Sequence, residues 1–167
     1  MTLLGSEEFR AEVKRHLLGF ENRLVDALKS LIAHQYPPEV FSLSFTVFSD
    51  SFTSQFHARA FFMDCDNCEH FVYVDGKAEY PSPIDPKILD VGGVYPEELE
   101  EQFDETNPDS DAWSLATSEF IAWFHACWCK AGGEKFPLSA TIGEHDSDKE
   151  FNLKTGVWQE SYADFHS

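Results

Sequence analysis

The period of the hydrophobic pattern changes once, at Pro37-Pro38, and that change restricts the fold class more than any other feature of the chain. Upstream, Phe9, Val13, Leu17, Phe20, Leu24, Leu28 and Leu31 recur every three or four residues, which gathers them on one face of a helix. Ser6 as N-cap, with Glu7 and Glu8 in the first turn, predicts a single long helix from Ser6 to Ala33 that stops before the two prolines. Downstream, Phe41, Leu43, Phe45 and Val47 alternate with Ser42, Ser44 and Thr46, the period-two signature of a strand with one buried face. Phe56, Ala58, Ala60 and Phe62 repeat that alternation after a polar stretch, so the two runs predict a hairpin. Residues 70–74 and 77–80 flank Asp75-Gly76, a dipeptide suited to a tight turn, and predict a second hairpin.

Pro81, Pro83, Pro86 and Gly92-Gly93 then mark an irregular crossing. Pro96 suits the first position of a short acidic helix, and Asn107-Pro108 predicts the opening of a second long one. The stripe of that helix is Trp113, Ala116, Phe120, Trp123, Phe124, Cys127 and Ala131, and Gly132-Gly133 ends it. Phe136, Leu138, Ala140 and Ile142 read as one strand, Phe151, Leu153, Thr155 and Val157 as another, and residues 160–167 as a loose tail. The expected architecture is α+β: one domain over 1–167, with a mostly antiparallel sheet of about six strands packed against two long helices.

Sixteen Phe and four Trp in 167 residues supply enough apolar surface for one core without disulfides or metal. The four cysteines are expected as thiols. The first residues carry no basic-then-apolar leader, and no run approaches the ~18 apolar residues of a membrane span, so a cytoplasmic protein is expected. Thirty acidic against twelve basic residues give a net charge of −18. Such a field repels nucleic acid and anionic membrane surfaces and attracts basic proteins.

The charge is concentrated. From Asp64 to Asp111 there are fifteen acids, opposed by Lys77 and Lys87 alone. Glu97, Glu98, Glu100, Glu101, Asp104 and Glu105 fall on the short helix, with Tyr80, Tyr95 and Phe103 nearby as anchor residues for a partner. The competing reading is a solvated face that serves solubility. The leading expectation is an acidic protein-binding module, of the immunity-inhibitor type, that docks on a basic protein partner.

Two clusters point to other chemistry. Cys65-Asp-Asn-Cys68 has the spacing of two zinc thiolates, with His70 behind it and Cys129, itself four residues from His125, as a further ligand. His145 among Glu144, Asp146 and Asp148 resembles a hydrolase or metal loop only in composition. The acids flanking Cys65 and Cys68 disfavour thiolate formation, which argues against redox catalysis. The chain contains no nucleophile elbow, phosphate loop or dinucleotide fingerprint. A zinc protein or hydrolase is therefore the alternative function, and a structural subunit of a homo-oligomer is the third.

Overall fold

Gly19 and Phe20 divide the expected N-terminal helix in two. In the computed structural model, which describes residues 5–49, 56–69, 72–74, 77–79, 89–91, 96–145 and 147–161, α1 spans Ser6–Leu18 and α2 spans Glu21–Ala33. An unbroken helix over those residues would be about 42 Å long at 1.5 Å per residue, longer than a small domain is wide. Glycine weakens a helix interior, and the break at Gly19 lets both halves lie against one later helix. Gly5, rather than Ser6, occupies the N-cap of α1, without a side-chain cap.

Strand β1 (Ser42–Ser49) pairs antiparallel with β2 (Phe56–Met63), the expected hairpin, with Phe45 opposite Ala60. The short strands β3 (Val72–Val74) and β4 (Lys77–Glu79) also pair as expected, but as a separate two-stranded sheet. Strand β5 (Leu89–Val91) adds to the outer edge of β2. Helix α3 (Glu97–Thr106) follows Pro96, and α4 (Ala112–Lys130) follows Asp111.

Asn107-Pro108 does not open α4. Asn107 instead closes α3, where its backbone N–H and its Nδ2 both donate to the Phe103 carbonyl. The cap of α4 is Asp111, whose Oδ1 accepts from the Trp113 N–H at 3.0 Å and whose Oδ2 accepts from Ser114 Oγ at 2.8 Å. Gly132, at φ 95°, ends α4 as expected, and a 3-10 turn at Gly133–Lys135 leads onward.

Strand β6 (Ser139–Glu144) lies parallel to β1, the one parallel pairing in the main sheet. The crossover through α3 and α4 permits it, because parallel neighbours need a long connection. The single strand expected around Phe151 to Val157 is a hairpin: β7 (Lys149–Asn152) turns through Gly156, at φ 75°, into β8 (Val157–Glu160). Glu160 therefore belongs to the sheet and not to a loose tail; residues 162–167 lie outside the described set. Among the described residues the protein is α+β, with four helices and a mixed six-stranded sheet in the order β5-β2-β1-β6-β7-β8.

Alternation decides which face of that sheet the helices cover. Leu43, Phe45 and Val47 of β1, Ala58, Ala60 and Phe62 of β2, and Ala140 and Ile142 of β6 are buried beneath the helices with Leu24, Leu28, Phe120 and Phe124. Phe45 meets Phe124 and Trp128 at ring-centroid distances of 5.0 and 5.8 Å. The indole N–H groups of Trp113, Trp123 and Trp128 are buried without hydrogen-bond partners among the described residues. Each omission costs about 1–3 kcal/mol, less than the ~4–6 kcal/mol that burying an aromatic of that size contributes. Glu119 is the acid buried on α4, and Arg10 and Lys14 of α1 reach it at 3.8 and 3.5 Å, so charge as well as packing joins those helices.

Glu144, at the end of β6, has its carboxyl pushed above the usual range, first by burial and then by the nearby Asp111 carboxylate. A raised folded-state value means that protonation favours the fold. The contribution is fully present below the ordinary value of 4.5 and is lost as pH rises through the raised one. Glu144→Gln should therefore raise the melting temperature at pH 7, and the gap to wild type should close well below pH 4.5. A gap independent of pH would show that the gain comes from another source.

Candidate functional site

Helix α3 is anchored chiefly by one buried side chain. Phe103 is fully buried and stacks on Phe9 of α1, with ring centroids 4.7 Å apart. It cannot be the partner-facing anchor that the sequence suggested, because its ring is consumed in holding α3 to the helix layer. Around it, Glu97, Glu98, Glu101, Asp104 and Glu105 are all exposed, and none forms an ion pair with a described residue. Glu100 is half-buried and engaged in an interaction of its own. Exposed Asp109 and Asp111 continue the acidic edge into the N-terminus of α4. Tyr80 and Tyr95 lie outside the described residues.

The cysteines do not converge. Cys65 and Cys68 are exposed in a tight turn after β2, where Asp64 Oδ1 accepts from the Asp66 and Cys68 N–H groups at 2.9 Å and Asn67 adopts φ 59°. Cys129 sits on α4 with its Sγ 3.5 Å from His125 Nε2, under the β7–β8 hairpin where His125 also meets Phe151. Among the described residues no three His, Cys, Asp or Glu side chains are arranged to hold a metal; His70 and Asp146 lie outside them. The expected set of Cys65, Cys68 and Cys129 is thus divided between a surface turn and a helix. Sequence spacing located two chelating pairs but carried no information on the distance between them.

Burial sorts these thiols by reactivity. The Cys127 thiol is pushed up to about 12, first by burial and then by Glu21, while Cys129 is raised by burial and by Glu134. A thiol-specific disulfide reagent at pH 8 should modify Cys65 and Cys68 first and leave Cys127 untouched until the protein unfolds, since the thiolate is the nucleophile. Peptide mapping that places Cys127 in the fast class would refute this.

A second site was not found by motif. The sheet face opposite the helices carries a cleft of about 400 Å³. Its floor is the polar half of the same alternation that built the core, with Ser42, Ser44 and Thr46 on β1 beside Thr141 on β6. One wall is aromatic, where Phe48 and Phe61 lie 6.4 Å apart and the His145 ring lies 4.6 Å from Phe48. The bridge between Met63 and Glu69 brings Glu69 to the lining of the cleft at the end of β2, where its Oε1 is buried and has no hydrogen-bond partner among the described residues. An unpaired buried acceptor costs on the order of 1–3 kcal/mol, and a charged one more. Glu150 is engaged differently, because its Oε1 accepts from Gln159 Nε2 at 3.1 Å, and Gln159 Oε1 in turn accepts from Asn152 Nδ2. The alternating serines and threonines announced a solvent-facing row, but the closing wall comes from the turn beyond β2.

No protein-family model, curated protein or solved structure matches this chain. No described helix is long and apolar enough to cross a membrane.

Proposed function

We propose that this protein is an acidic docking module that binds a basic protein partner, in the manner of an immunity-type inhibitor that occludes the partner's working surface. The observation that carries the reading is the presentation of α3: five exposed carboxylates without described ion pairs, on a helix pinned from behind by Phe103. Carboxylates left unpaired on a fixed element keep their full field toward solvent, and complementary charge speeds encounter and rejects like-charged competitors. The net charge of −18 supplies long-range attraction of the same sign.

The test begins with gentle recovery of tagged protein from the cell that makes it, followed by native mass spectrometry of the intact complex. A basic partner should co-purify. Its association rate should fall at least tenfold between low and physiological salt, and similarly with Glu97→Lys, Glu98→Lys and Glu101→Lys combined. A bare monomer, or a complex indifferent to both salt and charge reversal, overturns the proposal.

A further inference from the structure

We infer that the cleft on the sheet face opposite the described helices is a binding site for a small organic ammonium ion. The site lies across the sheet from α3, so it does not depend on the docking surface proposed above. Three independent features of the cleft specify the same chemistry. Glu69 Oε1 is buried in its lining with no donor among the described residues, and so calls for a donor supplied by a ligand. An ammonium satisfies it with a charge-assisted bond, stronger than any neutral donor gives. In the same cleft, Phe48 and Phe61 supply aromatic rings, whose faces attract cations. Phe61 already takes the Arg59 guanidinium 5.9 Å from its centroid, which shows the ring acting in that way within the chain. The floor hydroxyls of Ser42, Ser44, Thr46 and Thr141 can accept the remaining ammonium protons.

Charge within the cleft agrees. Its described acids are Glu69, Glu144 and Glu150, against Lys149 in the lining and Arg59 beside the Phe61 ring, and His145 also lines it. An anion would meet net repulsion there, and a neutral polyol would leave the Glu69 carboxylate without a countercharge. A volume of about 400 Å³ suits a molecule of roughly a dozen heavy atoms or fewer and falls at the lower end of known ligand pockets.

The probes are 2-phenylethylammonium and its neutral isostere 2-phenylethanol, each titrated into the full-length protein at low salt and followed by backbone amide NMR. The ammonium should give saturable one-to-one shifts centred on Ser44, Thr141 and Glu69, and the alcohol should bind at least tenfold more weakly. Glu69→Gln should reduce ammonium affinity at least tenfold with a melting temperature no lower than that of the wild type, while a variant with Glu97, Glu98 and Glu101 all changed to Gln should keep the affinity. Equal binding of ammonium and alcohol, shifts confined to α3, or full affinity in Glu69→Gln would each overturn the assignment. If Glu69→Gln fails to fold, Phe48→Leu serves in its place, with a threefold or greater loss expected for the ammonium and none for the alcohol. Absence of any saturable ammonium binding to the wild-type protein ends the proposal outright.

Discussion

Gly133→Ala is expected to destabilise the protein by about 3 kcal/mol, a large effect for one methyl group. A Cβ at Gly133 would fall inside the indole of Trp128, overlapping Nε1, Cε2 and Cδ1 at once. That ring has nowhere to go. Trp128 is fully buried, edge-on to Phe45 and to Phe136, with ring centroids 5.8 and 5.4 Å away. Relief therefore requires the chain after α4 to lift away from the core, and with it the entry to β6. For a domain of this size the melting temperature should fall by roughly 6–12 °C. Gly132→Ala is the informative neighbour. Nothing lies within 4 Å of its added Cβ, but its φ of 95° is strained for an L side chain, so a smaller loss of about 1–2 kcal/mol is expected. Trp128→Phe in the Gly133→Ala background should recover part of the loss, with a coupling of about 1 kcal/mol or more in a double-mutant cycle. Equal costs at Gly132 and Gly133, or no coupling to Trp128, would show that crowding is not the cause.

Phe103→Ala should rank with it, at about 3–4 kcal/mol for removal of a fully buried aromatic. Its consequence is more local. Phe103 is the one buried residue of α3, so without the stack on Phe9 the helix keeps only half-buried contacts, Leu99 and Glu100 among them, to hold it to the layer. A ten-residue acidic helix without tertiary packing is marginal in water. Far-ultraviolet dichroism should lose about that much helix, and amides of α3 should lose protection from exchange while those of α4 keep theirs. Glu101→Gln, on the exposed side of the same helix, should change stability by no more than about 0.5 kcal/mol. Phe103→Ala should also weaken partner association despite the residue's complete burial, because the carboxylates would no longer be held as one surface. Retained α3 protection in Phe103→Ala would mean that other contacts fix the helix.

The amino-acid sequence by itself determined the α+β class, the β1–β2 and β3–β4 hairpins, the aromatic stripe of α4 and its glycine stop. Each rests on local periodicity or local turn chemistry, which a short window of sequence contains. The concentration of acids on α3 was legible for the same reason. What the tertiary structure decided is whatever depends on distance between separated segments. The break at Gly19 follows from two short helices having to share α4, and the parallel seat of β6 beside β1 follows from the crossover, not from the strand's own alternation. The inward turn of Phe103 belongs with them, since an aromatic in an acidic helix reads equally as an anchor for a partner or for its own core. The cysteines separated because spacing along the chain fixes which thiols form a pair and leaves open which pairs meet. The cleft is the fullest case: Ser42, Ser44, Thr46 and Thr141 were readable as the outer half of two strands, but only the return of Glu69 against β2 turned that row into a walled site with an unpaired carboxylate.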